Sequence, residues 1–332
     1  MQMFLLSMVC AFLLSVAIAP FVIKLAKRLK ARQSILEYVE LHKAKEGTPT
    51  MGGLIFIVAI IVISLVFLRG NSKLATVALA TMCAFGLLGF LDDFLKVKNH
   101  HNLGLRAYQK ALGQFGISII ITFFAYNSGL IGSSLIIPFC GIEFNLSIWY
   151  IPFTIFVLLA ITNSVNLTDG LDGLATGTSL AYLLTFGILL LSIYTADIEM
   201  GESAQLVSEQ KNLIFIIFIA VGALLGFWIY NFYPAKIFMG DVGSLALGGL
   251  IAAVSIFTRF TLLMPLIGAA FVLSAASVII QVLHYKRTKR RVFLMAPFHH
   301  HLEKLGIKET KITIIYTTST LIIGATCLAF LL

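Results

Sequence analysis

Charge is what this chain has least of. Asp, Glu, Lys and Arg make up 12% of its 332 residues, where a soluble globular domain carries about a quarter. That scarcity excludes a soluble domain of this length. No basic residue precedes the first apolar run, whereas Lys24, Lys27, Arg28, Lys30 and Arg32 follow it. A secretory signal peptide has its charge at the other end, so the run is expected to persist as a first helix. Cysteine is scarce too: Cys10, Cys83, Cys140 and Cys327 lie in or beside apolar runs without a CxxC pair. They read as small packing residues rather than a disulfide framework or a metal site. A low-complexity tract, a soluble domain and a clear internal repeat are also missing.

What is present is apolar sequence, 59% of the chain. Ten runs stand out, at about 3–23, 51–68, 74–91, 112–126, 146–163, 174–196, 212–230, 243–258, 261–284 and 312–332. Most are long enough to cross roughly 30 Å of hydrocarbon. The expected fold is an all-α integral membrane protein of about ten transmembrane helices, one polytopic domain over residues 1–332, with both termini on the non-cytoplasmic side. Its cytoplasmic loops are then 24–50, 92–111, 164–173, 231–242 and 285–311. These segments hold 20 of the 24 Lys and Arg, leaving only Arg69, Lys73, Lys211 and Arg259 outside. Positive charge gathers on the cytoplasmic side of membrane proteins, and the inverted topology would break that rule. The resulting field suits anionic headgroups or phosphorylated substrates; no nucleic-acid partner is expected.

Polar groups at membrane depth are costly and point to function. Here they gather at the cytoplasmic ends of spans. KEGTPTMGG (Lys45–Gly53) offers a rigid turn and two glycines that let another backbone approach closely. LGFLDDFLK places Asp92 and Asp93 side by side at the end of an apolar span, where two carboxylates need a cation, a metal or protons. In NSVNLTDGLDGLA, Asn163, Asn166, Asp169 and Asp172 recur every third residue, with Gly170 and Gly173 breaking the helix so that the side chains ring one pocket. Asp241 is expected just before a glycine-rich helix start in YNFYPAKIFMGDVGSLALGG, where N–H groups and the helix dipole favour phosphate and a carboxylate can hold Mg²⁺. The same stretch offers Asn231 and Phe238 to a base or ribose.

The last cytoplasmic segment holds five cations between Lys286 and Arg291, then His299, His300 and His301. Three consecutive His cannot face one metal from a regular helix, and no HExxH accompanies them, so hydrogen bonding to phosphate or orientation of a carboxylate fits better than zinc. His299 and Glu303, at i and i+4, are expected together to fix the tilt of that segment.

At these residues the chain resembles the polyprenyl-phosphate N-acetylhexosamine-1-phosphate transferases, through PTMGG, the Asp pair, NxxNxxDGxDG and MGDxGS. APFHHHLE (Ala296–Glu303) and KEGTPTMGG resemble its phospho-N-acetylmuramoyl-pentapeptide-transferase branch in particular. The resemblance implies a multi-pass protein of the bacterial inner membrane, often a homodimer, with a cytoplasmic cleft. The implied reaction takes UDP-MurNAc-pentapeptide and undecaprenyl phosphate to lipid I and UMP with Mg²⁺, a step of peptidoglycan synthesis. It further implies that Asn166, Asp169, Gly170, Leu171, Asp172, Asn231 and Phe238 form the uridine and sugar side, with the three His near the phosphates or the peptide-bearing sugar. A sister enzyme using UDP-GlcNAc is the nearest alternative. A transporter would place its polar groups near the midplane instead.

The reaction joins two phosphates, so anion repulsion must be offset. Mg²⁺ held by Asp241 first and Asp93 second, aided by Lys45, Lys96 and Lys110, would do this. For Asp92 two roles stay open. A phosphate monoester has a second pKa near about 6 and hardly needs a base, so Asp92 orients the acceptor or takes a residual proton; alternatively an Asp is the nucleophile. The ninth run, with Pro265, Gly268 and Ser274–Ser277, is expected to bend and open a lateral groove for the lipid.

Overall fold

A computed structural model of the protein describes residues 1–29, 47–99 and 104–332. Each of the ten apolar runs is realised as helix: α1 (Gln2–Arg28), α2 (Gly53–Phe67), α3 (Lys73–Asn99), α4 (Ala107–Tyr126), α5 (Tyr150–Thr168), α6 (Leu174–Glu199), α7 (Ala204–Asn231), α8 (Gly240–Phe257), the α9 (Met264–Ile267) and α10 (Ala269–Thr288) pair, and α12 (Glu309–Leu331). A short α11 (Phe298–Lys304) carries the three His. The ninth run is broken, as Pro265 and Gly268 suggested: Gly268 ends α9 and begins α10 with φ −84° and ψ 25°.

Among the described residues, eight helices are long and apolar enough to cross a membrane. The other two of the ten are α2, which has only 15 residues, and α4, whose first turns carry Gln109 and Lys110. Fifteen helical residues span about 22 Å, short of roughly 30 Å of hydrocarbon. The expectation of an all-α chain needs one addition: β1 (Ser134–Ile136) and β2 (Glu143–Asn145) pair antiparallel as a small hairpin. It is tied to the end of α8 by the Ile136 N–H, which donates to the Arg259 carbonyl (3.1 Å), and by an Arg259–Glu143 ion pair. Strands of three residues are too short to show a periodicity.

The helices are apolar all round, so burial is decided by position rather than by an amphipathic stripe. α8 lies at the centre, with α3, α5 and α2 packed on it, while α1, α10 and α12 leave most of their apolar surface facing outward. Exposed Leu65, Ile120, Phe156, Ile322 and Phe330 suit hydrocarbon, not water. Since lipid is as apolar as leucine, close backbone approach through small residues holds such helices together. Gly53 of α2 meets Gly243 of α8, and Gly89 of α3 lies against the Asp241 backbone. On the other side, Gly222 of α7 meets the Met8 backbone of α1, and the Ser15 hydroxyl donates to the Ala223 carbonyl (2.8 Å).

At the far end from the site, the buried Glu209 carboxylate accepts the N–H groups of Lys73 (3.0 Å) and Leu74 (2.8 Å), capping α3 from α7. A carboxylate on free helix N–H groups satisfies both the donors and the dipole.

Candidate active site

The glycine contacts of α8 decide where its acidic first turn falls. The N–H groups of Gly52 and Gly53 donate to the carbonyls of Phe238 (2.8 Å) and Met239 (2.9 Å), and the Phe238 N–H donates to Pro49 (2.8 Å). The PTMGG turn therefore clamps the segment leading into α8. Gly89, one turn before Asp92 and Asp93, lets α3 lie directly on the Asp241 backbone.

α3 runs on as helix to Asn99, so Asp92 and Asp93 stand within it rather than at its end. Together with Asp241 they form one group, with an oxygen from each within 4.8 Å of the others. Each carboxylate has one oxygen held by a neutral donor. Leu105 N–H donates to Asp92 Oδ1 (2.7 Å), Val242 N–H to Asp93 Oδ2 (3.0 Å), and Asn166 Nδ2 to Asp241 Oδ1 (2.8 Å). The three remaining oxygens converge on the Lys96 ammonium: Asp92 Oδ2 at 2.6 Å, Asp93 Oδ1 at 3.5 Å and Asp241 Oδ2 at 2.9 Å. Lys110 Nζ adds a second cation, 2.9 Å from Asp241 Oδ2. Three carboxyl groups face two ammonium groups here, an arrangement that can take a further cation. Tight tethering on one side and convergence on the other is a preorganised oxygen donor set.

The DGLDG loop forms the next wall. Asp169 ends α5, and burial, followed by the charges of Asp241, Asp93 and Asp172, holds its carboxyl well above the usual range. Gly170 fits beneath α11, where a Cβ would overlap His299 Nε2 and come within 3.1 Å of His300 Nε2. Leu171 is buried with Leu174, Ile312 and Tyr316. Asp172 reaches the next loop, its Oδ2 accepting the Ala235 N–H (2.9 Å). Asn231 is buried, accepting from Thr176 Oγ1 (2.7 Å) and donating to the Ile237 carbonyl (3.1 Å). In this structure, therefore, Asp172 and Asn231 shape the 231–239 loop, while Phe238 is half-buried beside the PTMGG turn.

One expectation is corrected. Glu303 pairs with His300, Nδ1 to Oε2 at 2.6 Å, and not with His299. His299 is turned inward, fully buried between Gly170 and Tyr316, while His301 Nδ1 accepts the Leu294 N–H (3.2 Å). Lys45 lies outside the described residues. Leu105, Val242, Ser244 and Glu309 escaped the sequence reading. Ser244 accepts from Asn166 (2.8 Å), and Glu309 Oε1 accepts the Asp172 N–H (2.6 Å). Val242 and Ser244 both lie inside MGDVGS, but of the two only Ser244 has a polar side chain to read.

The contact of Gly170 with α11 yields a test. Gly170→Ala is expected to push His299 outward and lower turnover by roughly 10²-fold, the scale of a 1 Å misplacement, in a chain that still folds. Turnover within twofold of wild type, measured on the purified protein, would show that the His segment need not sit this close.

The chain is also similar to known proteins. Residues 75–259 match glycosyl transferase family 4, and residues 45–57 match signature 1 of the phospho-N-acetylmuramoyl-pentapeptide-transferases. The chain is 40% identical over 316 residues to the phospho-N-acetylmuramoyl-pentapeptide-transferase of Desulfitobacterium hafniense, covering 95% of this chain and 93% of that protein. It is 41% identical to the Clostridioides difficile protein of that name (95% and 93% covered) and 44% identical to the Clostridium kluyveri one (96% of each).

Proposed function

Since this chain belongs to the phospho-N-acetylmuramoyl-pentapeptide-transferase family, we propose that it transfers phospho-MurNAc-pentapeptide from UDP-MurNAc-pentapeptide to undecaprenyl phosphate, giving lipid I and UMP. As a member of that family it is a membrane-bound transferase of peptidoglycan synthesis. The observation that carries the specific reading is the convergence of Asp92, Asp93 and Asp241 on one point beside Lys96 and Lys110.

That all-oxygen donor set fits Mg²⁺, a hard cation. Asp241 and Asp93, with Asp92 beside them, would hold it, and when bound it would neutralise pyrophosphate charge and charge developing on UMP. The chain's own residues do the rest. Asn166 and Lys110 fix Asp241, and the N–H groups of Leu105 and Val242 fix Asp92 and Asp93. The Lys96 side chain is 34% exposed, so it has room to turn from the carboxylates towards a phosphate. An oxygen of the lipid phosphate attacks the phosphorus of the sugar 1-phosphate. The bond from that phosphorus to the bridging oxygen breaks, and UMP leaves with the electron pair. Asp92 orients the acceptor and takes any residual proton. The DGLDG loop, Asn231 and Phe238 serve the uridine and sugar, the three His the phosphates or the peptide-bearing sugar, and Lys45 the rim. The lipid enters beside the break at Gly268.

We place this site on the cytoplasmic face of the bacterial inner membrane, in a single domain of ten crossings that works as a homodimer. The concentration of Lys and Arg in alternate loops supports the sidedness. The purified protein, given undecaprenyl phosphate and Mg²⁺, is expected to release UMP from UDP-MurNAc-pentapeptide and not from UDP-GlcNAc; the reverse preference would make it the sister enzyme. Labelled UMP is expected not to exchange into the nucleotide sugar when the lipid is withheld. Exchange at the rate of turnover would establish a covalent intermediate and overturn direct attack.

A further inference from the structure

α1 carries a second feature that the transfer reaction does not use. Its buried positions, Ser7, Ala11, Ser15 and Ala19, recur every four residues, and they hold one face of the helix against α7. Pro20 lacks an N–H, so the Val16 carbonyl one turn back has no helical donor. The hydroxyl of Tyr230, from the last turn of α7, turns to that carbonyl at 3.4 Å. α7 then ends at Asn231, while α1 continues to Arg28.

Where α7 stops, a groove of about 550 Å³ opens, lined by Pro20, Ile23, Lys24, Lys27, Arg28 and Tyr230. The five α1 residues fall at i, i+3, i+4, i+7 and i+8, so they share one helix face. Pro20, Ile23 and the Tyr230 ring supply apolar lining, and Lys24, Lys27 and Arg28 supply charge. Lys236 adds charge beside Tyr230, its Nζ 5.8 Å from the ring centroid. Among the described residues, none of these four cations has a carboxylate in ion-pair range. Four cations around an apolar slot at the end of an outward-facing apolar helix ask for a ligand with both characters.

We propose that this groove is a binding site for the headgroup of an anionic phospholipid, apart from the acceptor site. Lys24, Lys27, Arg28 and Lys236 hold the phosphodiester, and Pro20, Ile23 and the Tyr230 ring cover the glycerol and the first methylenes. Tyr230 and Lys236 flank Asn231, so the lipid rests against the loop that leads to Phe238 and Asp241.

The test uses the full-length purified protein with spin-labelled phosphatidylglycerol and phosphatidylcholine in vesicles of defined composition, reading the motionally restricted lipid fraction. Wild type is expected to prefer phosphatidylglycerol. Lys24→Gln, Lys27→Gln and Arg28→Gln together should reduce that preference by up to about a hundredfold, at about fivefold per charge near the surface. The charge-keeping set Lys24→Arg, Lys27→Arg and Arg28→Lys should retain it, which separates lost charge from misfolding. Soluble glycerol phosphate should not compete, because it lacks the chains that the apolar lining covers. Removing three cations elsewhere, with Lys286→Gln, Arg287→Gln and Lys289→Gln, should leave the preference in place. Equal loss from both triple variants would mean diffuse attraction to the whole surface and would overturn the site. So would an undiminished preference after the α1 substitutions, competition by glycerol phosphate alone, or a change in oligomeric state with no change in lipid selection.

Discussion

Asp241→Ala is expected to lower turnover by at least about 10³-fold, the scale of losing a principal electrostatic group at a phosphoryl-transfer centre. Asp241 is the member of the acidic cluster on which the most donors meet: Asn166 at one oxygen, Lys96 and Lys110 at the other. Its loss leaves both ammonium groups without their common partner, although Lys96 still has Asp92 at 2.6 Å. The chain should therefore remain folded, with the site disordered rather than the bundle. Asp241→Asn is the sharper companion, since it preserves shape and removes charge; it should be nearly as inactive. The measurement is UMP release at saturating substrates, together with thermal unfolding in the same detergent. Turnover within tenfold of wild type would remove Asp241 from the centre of the chemistry.

Gly89→Val should disable the same site from the opposite helix. A Cβ at residue 89 would overlap the backbone carbonyl of Asp241. A main-chain carbonyl inside a clamped segment cannot yield as a side chain tip would. α3 and α8 must separate, and Asp92 and Asp93 move away from Asp241 together. Overpacking of this kind costs roughly 1–3 kcal/mol of stability, and a displacement near 1 Å lowers turnover by about 10²-fold. Gly116→Ala provides the control, because a Cβ there meets nothing within 4 Å. A Gly89→Val protein with wild-type turnover would mean that close packing of these helices does not set the cluster's geometry.

Much of this is legible in the sequence. Ten apolar runs correspond to ten helical segments, because an apolar run at membrane depth must satisfy its backbone hydrogen bonds internally. The break at Gly268 was legible from Pro265 and the glycine itself. Asp92, Asp93, Asp241, Lys96 and Lys110 are legible as polar side chains at the ends of apolar spans, whereas Asn166, expected on the uridine and sugar side, donates to Asp241. Their mutual arrangement is not legible. Asn166 and Asp241 lie 75 positions apart, Lys110 and Asp241 131 apart. The backbone donors of Leu105 and Val242 carry no side-chain signal at all. Helical spacing put His299 together with Glu303, yet Gly170 leaves room beneath α11 that draws His299 inward and gives Glu303 to His300. Asp172 and Asn231, expected at the substrate, also hold the loop that shapes the pocket.

The most direct measurement is Mn²⁺ binding, as a stand-in for Mg²⁺, followed by electron paramagnetic resonance on the purified protein with UDP-MurNAc-pentapeptide present. One bound ion per chain is expected for wild type, with binding lost in Asp241→Ala and weakened in Asp93→Ala. Unchanged binding after both substitutions would contradict the assignment of Asp92, Asp93 and Asp241 as the centre of transfer.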